Sequence, residues 1–433
     1  MDTASKHLNR FVITIILLTF AGRRQTIKAM INSEAGRCLL CKIPKCSAAC
    51  AVKTDVPTSI RLYKEGRGEE AARLLFANNP FSAITSRVCD WRKACYGHCV
   101  LNAKKMPVKW HEIEAEITGE YLFHASITPG TPNGKKVAIG GAGPAGITAA
   151  FILREHGCEV VIYDENPLPG GVLRYGIPEF RLSRKYIEQY DRIMSEAGIE
   201  FIGGKRIGRD ISVKELRENY DALFIATGAA VPRRLDIPGE DNPNILYALD
   251  YLKDPDSYKL GDRVLVIGGG NVTMDASRTA LRQGHDVTVY YRKTFENMPA
   301  NTLEVKEAQE EGVKFCVFEV PVAIEGNNIA VMRKCENVVG ADGRVSTKMI
   351  EGSDHKVEFD SMLVAISASV DNSIFGDEKP ETNRGWLVTD ESQQTSLPGV
   401  FIAGDLILGP ATVVEAVASA KTAVTGIINY LGI

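Results

Sequence analysis

The sequence predicts an α/β chain in which a helical, cysteine-bearing N-terminal domain precedes two nucleotide-binding folds in tandem. Three observations predict this. Seven cysteines lie between Cys38 and Cys99, spaced C-x2-C-x4-C-x3-C and then C-x5-C-x3-C. A glycine fingerprint, GAGPAG, follows at Gly141–Gly146, and a second, GGGNVT, at Gly268–Thr273. Each fingerprint has a strand-type run before it and a helix-type run after it, as a dinucleotide turn requires.

The 433 residues are enough for two or three domains, each with its own core. Mixed charges and a net charge of −3 give no reason to expect nucleic acid as a partner. The chain is too long and too apolar for a disulfide-stapled secreted scaffold, so its ten cysteines fit a reducing, cytoplasmic setting. Cys158, Cys316 and Cys335 stand apart and read as packed thiols. The apolar run Phe11–Ala21 is too short to cross a bilayer, which needs about 20 such residues. It is expected to be an extension or a short packed element, and no membrane role is expected.

Taken in order, residues 1–24 form an N-terminal extension and 25–130 a helical domain. Ile60–Asn78 has helical spacing with a break at Gly66–Gly68, and Glu112–His124 offers another helix. Thr128–Lys136 is a Pro/Gly-rich linker. Lys136–Ile139 is a strand, Ile147–His156 a helix, and Glu159–Tyr163 a second strand ending at Asp164. The same pattern returns from Arg263 to Tyr291. A third glycine-rich strand end, VFIAGD at Val400–Asp405, precedes a last helix from about Thr412. This layout predicts one nucleotide domain (131–255 and 376–433) interrupted by another (256–375).

Short-spaced thiolates can converge on an iron–sulfur cluster. The rival reading is structural zinc, but seven cysteines in two groups leave an awkward remainder at four ligands per zinc. Two cubane clusters need eight ligands, so one non-cysteine ligand would complete the set. In the first fingerprint Gly141 permits the tight turn, Gly143 lets backbone approach a pyrophosphate, and Gly146 lets helix pack on strand. Asp164, 18 residues beyond Gly146, can bind ribose hydroxyls. In the second, Thr273 stands where a smaller residue is usual and is expected to loosen helix–strand packing slightly. Arg292 and Lys293 replace an acid at the end of the second strand. They either hold a 2′-phosphate, favouring NADPH over NADH, or are solvated surface cations. No C-x-x-C occurs in the inner domain, so a dithiol mechanism lacks its group. His111 and His124 read as packing or surface residues.

The motifs EAGRCLLC at 34–41, VAIGGAGPAG at 137–146, LRYGIPEFRL at 173–182, ATGA at 226–229, IPGE at 237–240, GGGNVTMD at 268–275 and AGD at 403–405 carry a family resemblance. From about Glu34 onward the chain resembles the flavin-containing half of dihydropyrimidine dehydrogenase and the small subunit of the bacterial enzyme. More distantly it is similar to the small subunit of glutamate synthase. The C-x5-C-x3-C spacing and YYRKTF at 290–295 resemble the dihydropyrimidine dehydrogenase type.

The resemblance implies a glutathione-reductase-like tandem of FAD and NAD(P)H domains behind an iron–sulfur domain. It implies one 4Fe–4S cluster on Cys38, Cys41, Cys46 and Cys99. A second would sit on Cys50, Cys89, Cys95 and Glu114, with Glu112 and Glu116 as competitors for the eighth place. FAD would contact Gly141, Gly143, Pro144, Ala145, Gly146, Asp164, Gly171, Leu173, Arg181, Thr227, Gly228, Gly404, Asp405 and Thr412. NADPH or NADH would contact Gly268, Gly270, Asn271, Val272, Arg292 and Lys293. Hydride would pass to the flavin and single electrons to the clusters, with no general acid or base.

Pyrimidine reduction would require a separate FMN-bearing subunit as partner, so the expected role is electron input to it. The alternatives are the small subunit of glutamate synthase or of another electron-accepting complex and, in another class, a non-catalytic redox sensor. The sequence departs from the pattern at Ala51 and Asp90, where Pro is usual after a cluster cysteine, and at Ser367, where Gly is usual. Pro299 stands where the NADPH-using animal enzymes carry a further Arg.

Overall fold

The computed structural model describes residues 25–340 and 345–433; the run Phe11–Ala21 lies outside them. The chain forms two compact units, one ending at Ala125 and one spanning Ser126–Ile433.

The first unit is helical. Residues 25–36, Lys45–Ala49, Val56–Lys64, Gly68–Asn78, Ser82–Val88 and Trp110–Tyr121 are helices. The break expected at Gly66–Gly68 is real: Gly66 takes φ +77°, which a side chain resists, and ends one helix before the next begins. Asp55 caps the helix Val56–Lys64 by accepting from the Thr58 amide, with Pro57 in its first turn. Ile60, Leu75, Trp110 and Ile113 form the core of this unit, and Cys38, Cys46, Cys95 and Cys99 pack against it.

The second unit is built on two parallel sheets. In the first the strand order is Val400–Ile402, Ala222–Ile225, Lys136–Gly140, Glu159–Tyr163, Glu200–Ile202. The central strands are almost continuously buried, as they must be when helices cover both faces. The second sheet runs Ile245–Tyr247, Ser361–Ala365, Arg263–Gly268, Asp286–Tyr291, Lys314–Val317. Val400–Ile402 pairs with Ala222–Ile225, so the chain returns to its first sheet after completing the second. Inserted between Lys314–Val317 and Ser361–Ala365 of the second sheet, Glu319–Glu325, Ile329–Val339, Val345–Met349 and His355–Glu358 form an antiparallel sheet in which Ile329–Val339 pairs with the other three.

Candidate functional site

Three neighbouring strands of the first sheet end on the residues that the sequence singles out. Lys136–Gly140 runs into the Gly141–Gly146 turn, Ala222–Ile225 into Thr227–Gly228, and Val400–Ile402 into Gly404–Asp405. Ligands of open α/β sheets bind beyond the carboxyl ends of the strands.

The turn is enforced by backbone contacts. Gly141 has φ +101°, and a Cβ there would lie 2.3 Å from the Ala226 carbonyl oxygen. A Cβ at Gly146 would lie 1.8 Å from the Gly141 carbonyl oxygen. At Gly143, by contrast, the nearest atom to such a Cβ is 4.0 Å away, on Gly171. That opening lies at the N-cap of the helix Pro144–Glu155, whose amides and dipole favour an anion. Pro144 occupies the first helical turn, and Ala145 is buried beside it.

Some expected contacts already have protein partners. Asp164 is buried; its Oδ2 accepts from the Ala142 amide at 2.6 Å and its Oδ1 from the Asn166 amide at 2.8 Å. It therefore organises the glycine turn, and burial raises its pKa despite these bonds. Thr412 caps the helix Val413–Leu431 in a capping box with Glu415. Leu173 is fully buried in the short helix Val172–Tyr175 behind Gly171. Arg181 pairs with Asp275 and Glu304, which belong to helices around the second sheet. Asp405 is pushed up to about 7, chiefly by burial.

In the second turn Gly268 and Gly270 lead into Asn271 and Val272 at the start of the helix Asn271–Arg282. Here one expectation is corrected. Thr273 does not loosen the packing. Its fully buried hydroxyl accepts from the Gly270 amide at 3.2 Å and donates to the Ala365 carbonyl at 3.4 Å, tying turn, helix and neighbouring strand together. Asn271 accepts from the Asn301 amide at 2.8 Å. Lys293 donates to the Val345 carbonyl at 2.6 Å and is held there, whereas Arg292 is exposed. Ser367 adopts φ +97°, the left-handed region that the usual glycine would occupy freely.

In the first unit the thiols fall into two sets. Burial raises the Cys38 thiol, and the nearby charges of Cys41 and Cys99 raise it further. Cys46 responds to burial, then to Cys99 and Cys38. Cys95 is raised strongly by burial, then by Glu114, Cys89 and Cys50. One apolar-walled pocket, lined by Val56, Pro57, Leu101, Val108 and Trp110, also receives Cys38, Cys41, Cys46 and Cys99, and Cys95 of the other set reaches its wall as well.

Glu114 is buried and pushed up to about 8 by desolvation. Glu112 instead pairs with Lys109 at 3.0 Å, and Glu116 is exposed. Among the described residues no three His, Cys, Asp or Glu side chains converge as around a single ion. Bound iron would supply the positive charge that favours the thiolates which burial otherwise disfavours. The Val108 amide already points at Cys99 Sγ, 3.5 Å away.

The turns, the two sheets and the thiol sets define a pyridine-nucleotide oxidoreductase that uses FAD and 4Fe–4S iron. The chain belongs to the pyridine nucleotide-disulphide oxidoreductase family, whose model matches residues 135–420. A second model, dihydropyrimidine dehydrogenase domain II, 4Fe-4S cluster, matches residues 20–124. The glutamate synthase [NADPH] small chain of Azospirillum brasilense is 35% identical over 427 residues, covering 92% of this chain and 89% of its own. The β subunit of an NADP(+)-dependent formate dehydrogenase from Moorella thermoacetica is 32% identical over 423 residues, covering 89% and 60%. The fold matches Mycobacterium tuberculosis FprA in complex with NADPH, with TM-score 0.62 and 21% identity over 69% of this chain and 84% of that one. Among the described residues no helix is long and apolar enough to cross a membrane.

The sequence missed Asp275 and Glu304 as partners of Arg181. Nothing local marks them, because the pairs lie 94 and 123 residues apart. The Thr412–Glu415 cap carries the T-x-x-E signature and was readable.

Proposed function

We propose that this chain is the electron-input subunit of a glutamate-synthase-type complex, oxidising NADPH and passing electrons to a partner subunit. The observation that carries the reading is the combination of two glycine turns and two thiol sets in one chain. Likeness to a glutamate synthase small chain over 92% of this chain and 89% of that one supports it. When bound, FAD supplies hydride acceptance from the nicotinamide and the iron–sulfur centres supply single-electron transfer.

The chain's own residues bind and orient. The amides of Gly143 and Ala145, either side of Pro144, hold the FAD pyrophosphate, with Gly171, Leu173, Thr227, Gly228, Gly404 and Asp405 around the remainder. Asp164 keeps the turn in shape, and the lone pair left on its Oδ2 can serve ribose. Gly268–Val272 hold the nicotinamide dinucleotide. Exposed Arg292 is the better-placed cation for a 2′-phosphate, because Lys293 is committed to Val345. Cys38, Cys41, Cys46 and Cys99 hold one cluster. Cys50, Cys89, Cys95 and Glu114 hold the other, so Glu114 completes the eight ligands.

The pyrimidine-reducing reading keeps two observations, the C-x5-C-x3-C spacing and the family to which the N-terminal domain is matched. The spacing weighs less than it first does, because Cys89–Cys99 is a run of turns, where extra residues cost little. Membership of the oxidoreductase family disfavours the non-catalytic sensor.

Anaerobic purification with iron, sulfide and flavin assays, then NADPH and NADH titrations followed in the visible spectrum, tests the module. Roughly eight iron atoms with FAD, bleached by NADPH in preference to NADH, is the expected result. The acceptor is tested by adding either an FMN-bearing glutamate synthase large subunit or an FMN-bearing pyrimidine-reducing subunit. NADPH-driven turnover with the second alone would reverse the choice.

A further inference from the structure

The segment Phe180–Arg181 belongs to the crossover between Glu159–Tyr163 and Glu200–Ile202 of the first sheet, yet its side chains are held by helices of the second. Arg181 Nη1 donates to Asp275 Oδ2 at 2.5 Å, and Nη2 donates to Glu304 Oε1. Asp275 lies on the helix Asn271–Arg282, which leads from the second glycine turn, and Glu304 on Thr302–Glu311. The guanidiniums of Arg278 and Arg282 sit 4.8 and 4.1 Å from the ring centre of Phe180. Arg278 in turn pairs with Glu307 and Glu311, at 2.8 and 2.6 Å.

The cluster is incompletely satisfied. Asp275 Oδ1, Glu304 Oε2 and Arg278 Nε are buried without a hydrogen-bond partner. Apolar side chains of similar volume would hold two halves together at least as firmly. A buried ion cluster with orphaned atoms instead fixes direction while costing free energy that is recovered when water enters. Such a contact suits two bodies that must meet in one orientation and part again.

We propose that Phe180 and Arg181 form a releasable latch, and that Asp275 and Glu304 are positioning residues which seat the nicotinamide half on the flavin half for hydride transfer. The proposal rests on the assignment of the first sheet to FAD and the second to the nicotinamide dinucleotide.

The charges make the latch sensitive to pH. Arg181, Arg278 and Arg282 face Asp275, Glu304, Glu307 and Glu311, one negative charge in excess. The charged neighbours of Glu304 are Arg181, Asp275, Arg278 and Glu307, and burial pushes it from 4.5 up to about 7. In the parted state water returns it to its ordinary value. A raised carboxyl favours the latched state while protonated. That contribution is full below the ordinary value and is lost as pH rises through about 7.

The test is rapid anaerobic mixing of holoenzyme with NADPH from about pH 6 to about pH 9, separating the limiting rate of flavin reduction from NADPH affinity. The limiting rate should fall across neutral pH in the wild type. Glu304→Gln, which mimics the protonated acid, should abolish the fall without changing FAD content or NADPH affinity. Asp275→Asn removes the repelling neighbour and should move the fall to lower pH. Phe180→Leu should slow the limiting rate at every pH, by roughly threefold to tenfold.

Independently of turnover, amide exchange over residues 177–183, corrected for intrinsic rates, should quicken above neutral pH in the wild type and not in Glu304→Gln. If that variant does not fold, Asp275→Asn and the exchange data decide the matter. A fall that survives in Glu304→Gln, or exchange indifferent to both pH and variant, overturns the latch alone. A wild-type flavin that NADPH fails to reduce overturns the assignment of the halves, and the latch with it.

Discussion

The N-terminal unit and the tandem sheets hold their sites by opposite means. Around the glycine turns the backbone itself is the scaffold. Gly141 and Gly146 lie against carbonyl oxygens in buried strand ends, and nothing at these turns depends on a bound group to stay in place. Around the cysteines the scaffold is thin. Short helices surround thiols that repel one another and resist ionisation by burial, so the metal must supply the attraction that the side chains lack. A backbone site can precede its ligand, whereas a thiolate site needs its metal to be stable.

Removal of iron should break the comparison most visibly. Anaerobic chelation is expected to unfold residues 25–125 while leaving the Ser126–Ile433 sheets folded and able to bind FAD. Limited proteolysis followed by flavin fluorescence would show it. An iron-free chain with its N-terminal unit intact would mean that the helical core suffices.

The reverse case is Gly146→Val. Its Cβ would lie 1.8 Å from a carbonyl oxygen, forcing helix from strand at a cost of about 3 kcal/mol. FAD should be lost and iron retained, as read by the flavin-to-iron ratio. A flavin-replete variant would show that the turn is softer than the contacts imply.

A finer cut is Glu114→Ala, which should reduce iron by about half, with the first thiol set still occupied. Unchanged iron content would return Glu112 and Glu116 to contention. The smallest effect belongs to Ser367→Gly. Relief of the positive φ should stabilise the second unit by about 1 kcal/mol, or about 2 °C in its thermal midpoint. A lower midpoint would mean that the Ser367 side chain contributes more than its backbone costs.

These differences also explain what could be read in advance. The glycine turns were legible because close backbone approach demands glycine at fixed spacing. The thiols were legible because most cluster ligands are cysteines at short spacing, whereas a carboxylate ligand such as Glu114 carries no such mark. Asp164 was legible as an acid at a strand end, but not as the acceptor that shapes the Ala142 amide, since that depends on the rotamer. Thr273 was misjudged because its hydroxyl was counted as added bulk, whereas it finds two buried partners. Arg181, Asp275 and Glu304 meet across two sheets, and no local periodicity encodes such a meeting. The choice between acceptor families hung on loop spacing, the part of a chain that physics constrains least.

The return of Val400–Ile402 to the first sheet has a consequence for synthesis. Residues 226–399 must leave the ribosome before that strand can join Ala222–Ile225. At ordinary translation speed the wait is roughly ten to thirty seconds. Throughout it the apolar edge carrying Leu223 and Phe224 has no neighbour on that side, while the inserted domain emerges whole and is free to fold first. The newborn chain is thus most prone to aggregate late in its synthesis, and chaperone contact should concentrate on nascent chains stalled just short of Val400.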